Sequence, residues 1–164
     1  MHTPPPTSPT QPGAELYDAL RWYGPSGVLV TGDRAARHLL AAADLMTREN
    51  WDPQRCHRDS GRHLHDALYV TAHDGGNGDD DTRAVAGQVL EAVLCIYTGA
   101  PWVDHRAWSR HRDRTLGEVL AVARLAAAVA RMIGPAAPPP AGDRPTAPEH
   151  PSLPTAPERP SLTP

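Results

Sequence analysis

Thr115-Leu-Gly-Glu-Val-Leu-Ala-Val-Ala-Arg-Leu-Ala-Ala-Ala-Val-Ala-Arg-Met-Ile-Gly134 decides the fold class. Thr115 and Glu118 stand at the spacing of a capping box, in which each side chain satisfies a backbone N–H that a helix start leaves without a partner. Leu116, Val119, Leu120, Ala123, Ala126, Ala127, Ala130 and Ile133 then recur at helical spacing, while Gly117, Glu118, Arg124 and Arg131 fall on the other side. Arg131 suits the negative end of the helix dipole. Gly134 suits a left-handed C-terminal position, and Pro135 stops continuation. The many alanines on one face let a second helix approach closely, within the fold or across a dimer.

Upstream the same period repeats. Asp81 can cap a helix that Gly99 and Pro101 end. In it Val85, Val89, Leu90, Ala92, Val93, Leu94, Ile96 and Tyr97 cover more than half the circumference. Only Arg83, Gly87, Gln88, Glu91 and Thr98 remain for solvent, the pattern of a central, most buried helix. Residues 33–49 predict another, capped by Asp33, with Ala36, Leu39, Leu40, Ala43 and Met46 inward. Residues 62–73 predict a third on Leu64, Ala67, Leu68, Thr71 and Ala72. Residues 15–23 suggest a short helix carrying Leu16, Leu20 and Trp22, ended by Gly24-Pro25. Val28-Leu29-Val30 is too short to assign to strand or loop. Residues 74–81 are a loop running into a helix cap. The sum is an all-α protein: a small orthogonal or bundle-like domain of four to six helices.

The chain has 164 residues and 19 prolines, five within 1–12 and eleven within 135–164. That distribution predicts a disordered Pro/Thr-rich arm at 1–13, a helical domain at 14–134 and a disordered Pro-rich tail at 135–164. The tail carries a nonapeptide repeat, Pro145–Leu153 and Pro154–Leu162, differing only at His150 and Arg159. Pro at every third position excludes helix and sheet there. All 16 basic residues are Arg, and the net charge is −3. This balance argues against general nucleic-acid binding, where phosphate neutralisation demands a basic surface. Cys56 and Cys95 are too few for a disulfide framework. Met1–Pro6 has neither the basic nor the apolar region of a secretory leader. Val119–Ile133, interrupted by Arg124 and Arg131, is too short and charged to span a bilayer. A cytoplasmic location is expected.

Three constellations could carry chemistry. Cys56, His57, His63, His65, Asp66, His73 and Asp74 hold metal-ligand residue types within one short stretch, but at no standard zinc spacing. On one helix, His63 and His65 point their imidazoles apart. The order His38, His65-Asp66, then Asp104 or Asp113 is similar to that of HD-domain phosphohydrolases, helical enzymes in which paired His and Asp chelate a divalent metal that activates water. His105–Arg114 gathers Arg106, Arg110, Arg112 and Arg114 around Trp108, a set able to meet phosphates and stack a base. No phosphate-binding loop, dinucleotide fingerprint or serine-hydrolase elbow occurs.

Two stretches together resemble a known family. One is Leu39–Met46 followed by Asn50-Trp51, a variable loop, Gly61 and Ala67-Leu68; the other is Trp108-Ser109 followed by Arg114-Thr-Leu-Gly-Glu-Val-Leu120. The pattern is similar to that of small actinobacterial and actinophage proteins of the DUF6197 type, a domain of unknown function. The resemblance covers about residues 35–133. This chain departs from it at Ser109-Arg110, where the family reads Asn-Asp, and at Asp66, where it reads Gly. Any chemical role of that Asn and Asp is absent here. The resemblance implies a helical fold in a bacterial cytoplasm and carries no activity.

With no recognised catalytic constellation, the expected function is a non-enzymatic protein-interaction or regulatory module, with no cofactor and no metal. Its interaction candidates are Trp51, Trp102, Trp108, Arg110, Arg112 and Arg114, because Trp and Arg are enriched at interfaces. The expected partner is a protein that the sequence does not identify; nucleic acid is disfavoured, a membrane is not expected, and the oligomeric state is left open. An HD-like hydrolase on His38, His65, Asp66 and Asp104, and nucleic-acid binding through 105–114, are the alternatives.

Overall fold

A computed structural model describes residues 20–54, 61–73 and 78–138. These hold five helices and no strand beyond isolated bridges: α1 Gly32–Arg48, α2 Leu64–His73, α3 Asp80–Thr98, α4 His105–Ser109 and α5 Leu116–Ile133. The all-α expectation of four to six helices is met. The arm at 1–13, residues 14–19 and the tail repeat lie outside the described residues, as do Cys56, His57 and Asp74.

The caps follow side-chain chemistry, with two shifts from expectation. Thr31, not Asp33, opens α1, its hydroxyl accepting from the Arg34 N–H at 3.2 Å. Asp79, not Asp81, opens α3, accepting from the Thr82 N–H at 2.8 Å and holding Arg34 at 2.6 Å. The Thr82 hydroxyl, the Thr82 N–H and Arg34 together hold the Asp79 carboxyl below its ordinary range. Asp81 is thereby left to accept the Ser26 N–H at 2.9 Å, which pins an earlier turn onto α3. The capping box of Thr115 and Glu118 opens α5 as predicted. Gly99 ends α3 in the left-handed region at φ 71°.

Gly134 departs from expectation. Its φ of −75° and ψ of 160° are extended, so it does not supply a left-handed cap. Glycine is required there for closeness: a Cβ on Gly134 would lie 2.3 Å from the Gly32 Cα, and one on Gly32 2.1 Å from the Ala130 carbonyl oxygen. The Gly32 N–H donates to the Pro135 carbonyl at 3.0 Å. The start of α1 thus abuts the end of α5.

These two helices form the most extensive pairing in the fold. Ala35, Ala36, Ala42 and Ala43 of α1 are buried, as are Ala123, Ala126, Ala127 and Ala130 of α5. The alanine face of α5 is therefore used within the molecule. α1 also packs on α2 and α3, burying His38, Leu39 and Met46, and it rather than residues 80–98 is the central helix. α3 buries Val85, Val89, Leu90 and Leu94 but leaves Ile96 and Tyr97 exposed.

Residues 20–23 are not helical. Tyr23 pairs with Leu29 in an antiparallel bridge, and the Val30 N–H donates to the Trp22 carbonyl at 2.8 Å. Gly24-Pro25-Ser26-Gly27 reverses the chain, with Gly27 at φ 82°, and the reversal sends Trp22 and Val30 into the core. Trp51 bridges Arg62, so Asn50-Trp51 and Gly61-Arg62 close the segment between α1 and α2. No helix among the described residues is long and apolar enough to cross a membrane.

Candidate functional site

Arg83, Gly87 and Glu91 recur at helical spacing along one face of α3. Sequence periodicity assigns this stripe to solvent. After Gly99 the chain turns at Pro101, Asp104 caps the short α4 by accepting the Arg106 N–H at 2.7 Å, and His105 is turned back onto the stripe. A Cβ at Gly87 would sit 3.4 Å from the His105 Cε1, so the ring lies against the helix backbone, and Gly87 is buried. A cleft of about 310 Å³ results, walled by α2, α3 and α4, with His65, Arg83, Glu91, His105 and Arg106 on its lining.

His105 is 7% exposed, and its Nδ1 lies 2.9 Å from the Glu91 Oε1. A carboxylate only accepts, so Nδ1 carries the proton and Nε2 keeps its lone pair in the neutral ring. His65 lies beside it, ring centroids 5.9 Å apart. Desolvation first, then the charges of Arg106, His105, His63 and Arg83, push the His65 pKa down to about 4. His65 is thus a neutral imidazole at physiological pH. His63 and His65 do not point apart: their rings stack at 6.2 Å and 12°. The reason is that His63 precedes α2, where its Nδ1 accepts the Asp66 N–H at 3.1 Å, so its ring folds back along the helix. His73 bonds locally to the Tyr69 carbonyl at 2.8 Å.

One group among the described residues brings metal-ligand atoms together. Glu91, Asp104 and His105 each offer one atom, all within 4.8 Å of one another. The predicted set His38, His65, Asp66 and Asp104 forms no such group. His38 is buried in α1, beneath Gly78. Asp66 meets Arg62 at 3.1 Å on α2. Only His65 and Asp104 of that set border the cleft or its donor group, and they are joined there by Glu91 and His105, which the histidine–aspartate pattern does not contain.

The predicted interaction residues also divide. Trp108 is buried, and Arg114, partly exposed, stacks over its ring at 4.7 Å while pairing with Glu118 at 3.2 Å. Trp51 is half-buried against the core. Trp102, Arg110 and Arg112 are exposed. Trp102 is 72% exposed and is followed along the same stretch by Arg106 and Arg110, whose guanidiniums have no carboxylate partner among the described residues. Ile96 and Tyr97, at the end of α3, are 70% and 56% exposed. Sequence reasoning missed Glu91, His105, Ile96 and Tyr97. The one signal for the first two is Gly87, an interior helix glycine, which marks a close approach.

A model described as a family of unknown function, DUF6197, matches residues 30–129. No curated protein and no solved structure matches the chain.

Proposed function

The chain belongs to the DUF6197 family, whose function is unknown and which carries no activity to it, and from its surface we propose a non-enzymatic protein-interaction or regulatory module. Its working face docks a partner segment that is apolar at its anchor and acidic at its flanks. The observation that carries the reading is the exposure of Ile96, Tyr97 and Trp102 around the turn that ends α3. Large apolar side chains grouped on a surface mark contact sites, and buried Trp anchors dominate interface energies. Arg106, Arg110 and Arg112 follow on the same stretch and favour acidic flanks. A cytoplasmic location is part of the proposal, supported by a count of two cysteines, too few for a disulfide framework.

A displayed library of random peptides tests it against the full chain. The expected result is enrichment of sequences with an aromatic or Leu anchor beside Asp and Glu. The double variant Ile96→Ser, Trp102→Ala should weaken their binding by at least about tenfold, as loss of an interface anchor does. Failure to enrich, or binding indifferent to the double variant, sinks the reading. Salt-dependent binding of a single-stranded oligonucleotide, lost when Arg106, Arg110 and Arg112 are changed to Gln, would instead make the same face a nucleic-acid surface.

A further inference from the structure

We propose that Glu91, Asp104 and His105 form a site for one divalent transition-metal ion of the zinc, manganese or iron class. The inference is independent of the docking face and rests on how charge is distributed in the fold.

The chain supplies arginines generously to its carboxylates. Among the described residues Asp33 meets Arg37 and Arg131, Glu49 and Asp66 share Arg62, Asp79 meets Arg34, Asp80 meets Arg83, and Glu118 meets Arg114. Glu91 and Asp104 pair with no arginine among the described residues, nor do Asp44 and Asp81, but Glu91 and Asp104 also converge on the nine-tenths-buried His105. Two carboxylates converging on one imidazole present a negative site with mixed oxygen and nitrogen donors, the set that borderline divalent metals take. Both carboxylates are only partly buried, and only the imidazole between them is enclosed.

The geometry suits one ion. Bonds of about 2.1 Å to nitrogen and oxygen place tetrahedral ligands roughly 3.4 Å apart. The three donor atoms already lie within 4.8 Å of one another, and the Glu91–His105 pair within 2.9 Å. At that pair the ion takes the place of the proton on the His105 Nδ1, which passes to Nε2, so the ring ligates as a neutral imidazole. Asp104 is oriented from behind: one oxygen accepts the Arg106 N–H, which fixes the carboxylate as an outer partner fixes a metal ligand. Three protein ligands leave a position open, and the cleft provides the room for water or a small anion there.

Cobalt(II) is the probe, added to the metal-stripped full chain, because tetrahedral cobalt absorbs visibly and reports its donors. The expected result is one equivalent bound with a visible band, and zinc displacing it. Glu91→Gln and Asp104→Asn should each weaken binding by at least about 10-fold, the smallest loss seen when even an outer partner is removed, with helical circular dichroism and thermal midpoint close to the parent. Asn retains the capping oxygen, so Asp104→Asn keeps α4 formed and isolates the lost charge. No cobalt binding at millimolar metal overturns the proposal. So does binding of unchanged strength in both variants, which would place the metal on the other histidines and cysteines of the chain.

Discussion

The seam between α1 and α5 and the corner where α4 folds onto α3 follow opposite plans. The seam is lined by alanine, closed at one end by a glycine–glycine backbone contact, and edged by paired charges such as Arg131 with Asp33 at 3.6 Å. The corner holds a buried imidazole, two carboxylates without arginine, a neutral His65, and three large apolar side chains left in water. Burial is greatest where chemistry is absent, and uncompensated charge gathers where burial is incomplete. On this division stability resides in the seam, and both proposed binding sites lie in the corner.

Several substitutions press on that division, and the largest effect belongs to the seam. Gly32→Val drives a branched side chain into the Ala130 carbonyl and Gly134. Overpacking against backbone costs about 3 kcal/mol, and urea titration should show the variant largely unfolded or far less stable. If it matches the parent, the seam is not where the fold is held. Thr31→Ala removes the α1 cap on Arg34. The expected loss is about 1 kcal/mol, read as a shift of the urea midpoint at constant slope.

The corner should respond to pH where the seam does not. Above about pH 6.5 His65 is neutral folded and unfolded. Between that value and its folded pKa of about 4, the unfolded chain takes up a proton that the folded chain resists. Stability therefore falls as pH drops through this window and levels off below it. His65→Gln should remove that part of the slope. The comparison is of urea midpoints at pH 7, 5.5 and 4.5, and equal slopes in parent and variant would refute the depressed pKa. Smallest of all is Ile96→Ser with Trp102→Ala. Both side chains are exposed, so each change should stay within about 0.5 kcal/mol, while peptide binding collapses. A large loss of stability would show that these residues pack, and the corner would lose its claim as a contact surface.

The helices were legible because their signals are local. A capping box, an alanine stripe and a glycine–proline stop lie within one segment, so α5 is readable from 115–135 alone. Cap identity was less so: Thr31 and Asp33, or Asp79 and Asp81, are equivalent oxygen acceptors two residues apart, and only packing chooses between them. The helix predicted at 15–23 fails where it can be seen, at 20–23, because Trp22 is drawn inward by pairing with Val30 across a turn. The corner was illegible for a different reason. Periodicity states which residues share a face of α3 but not what lies on it. His105 comes from a five-residue helix that carries no periodic signal, and its meeting with Glu91 is made entirely by the turn at Gly99–Asp104. His65 and Asp104 were found by residue type, and their neighbours could be found only in space.

The hydrogen bond from Gly32 to Pro135 also ties the start of the first helix to the segment that leaves the last. Leu20, Trp22 and Pro135 line one hollow, so the path into the first helix and the path out of the last meet at a single pole. The domain is nearly a closed ring. A short peptide joining residue 136 to residue 20 would complete it, and a circular permutant reopened at the exposed Arg112 would keep every helix pairing. Leu20 and Pro135 are therefore neighbouring points on the folded domain.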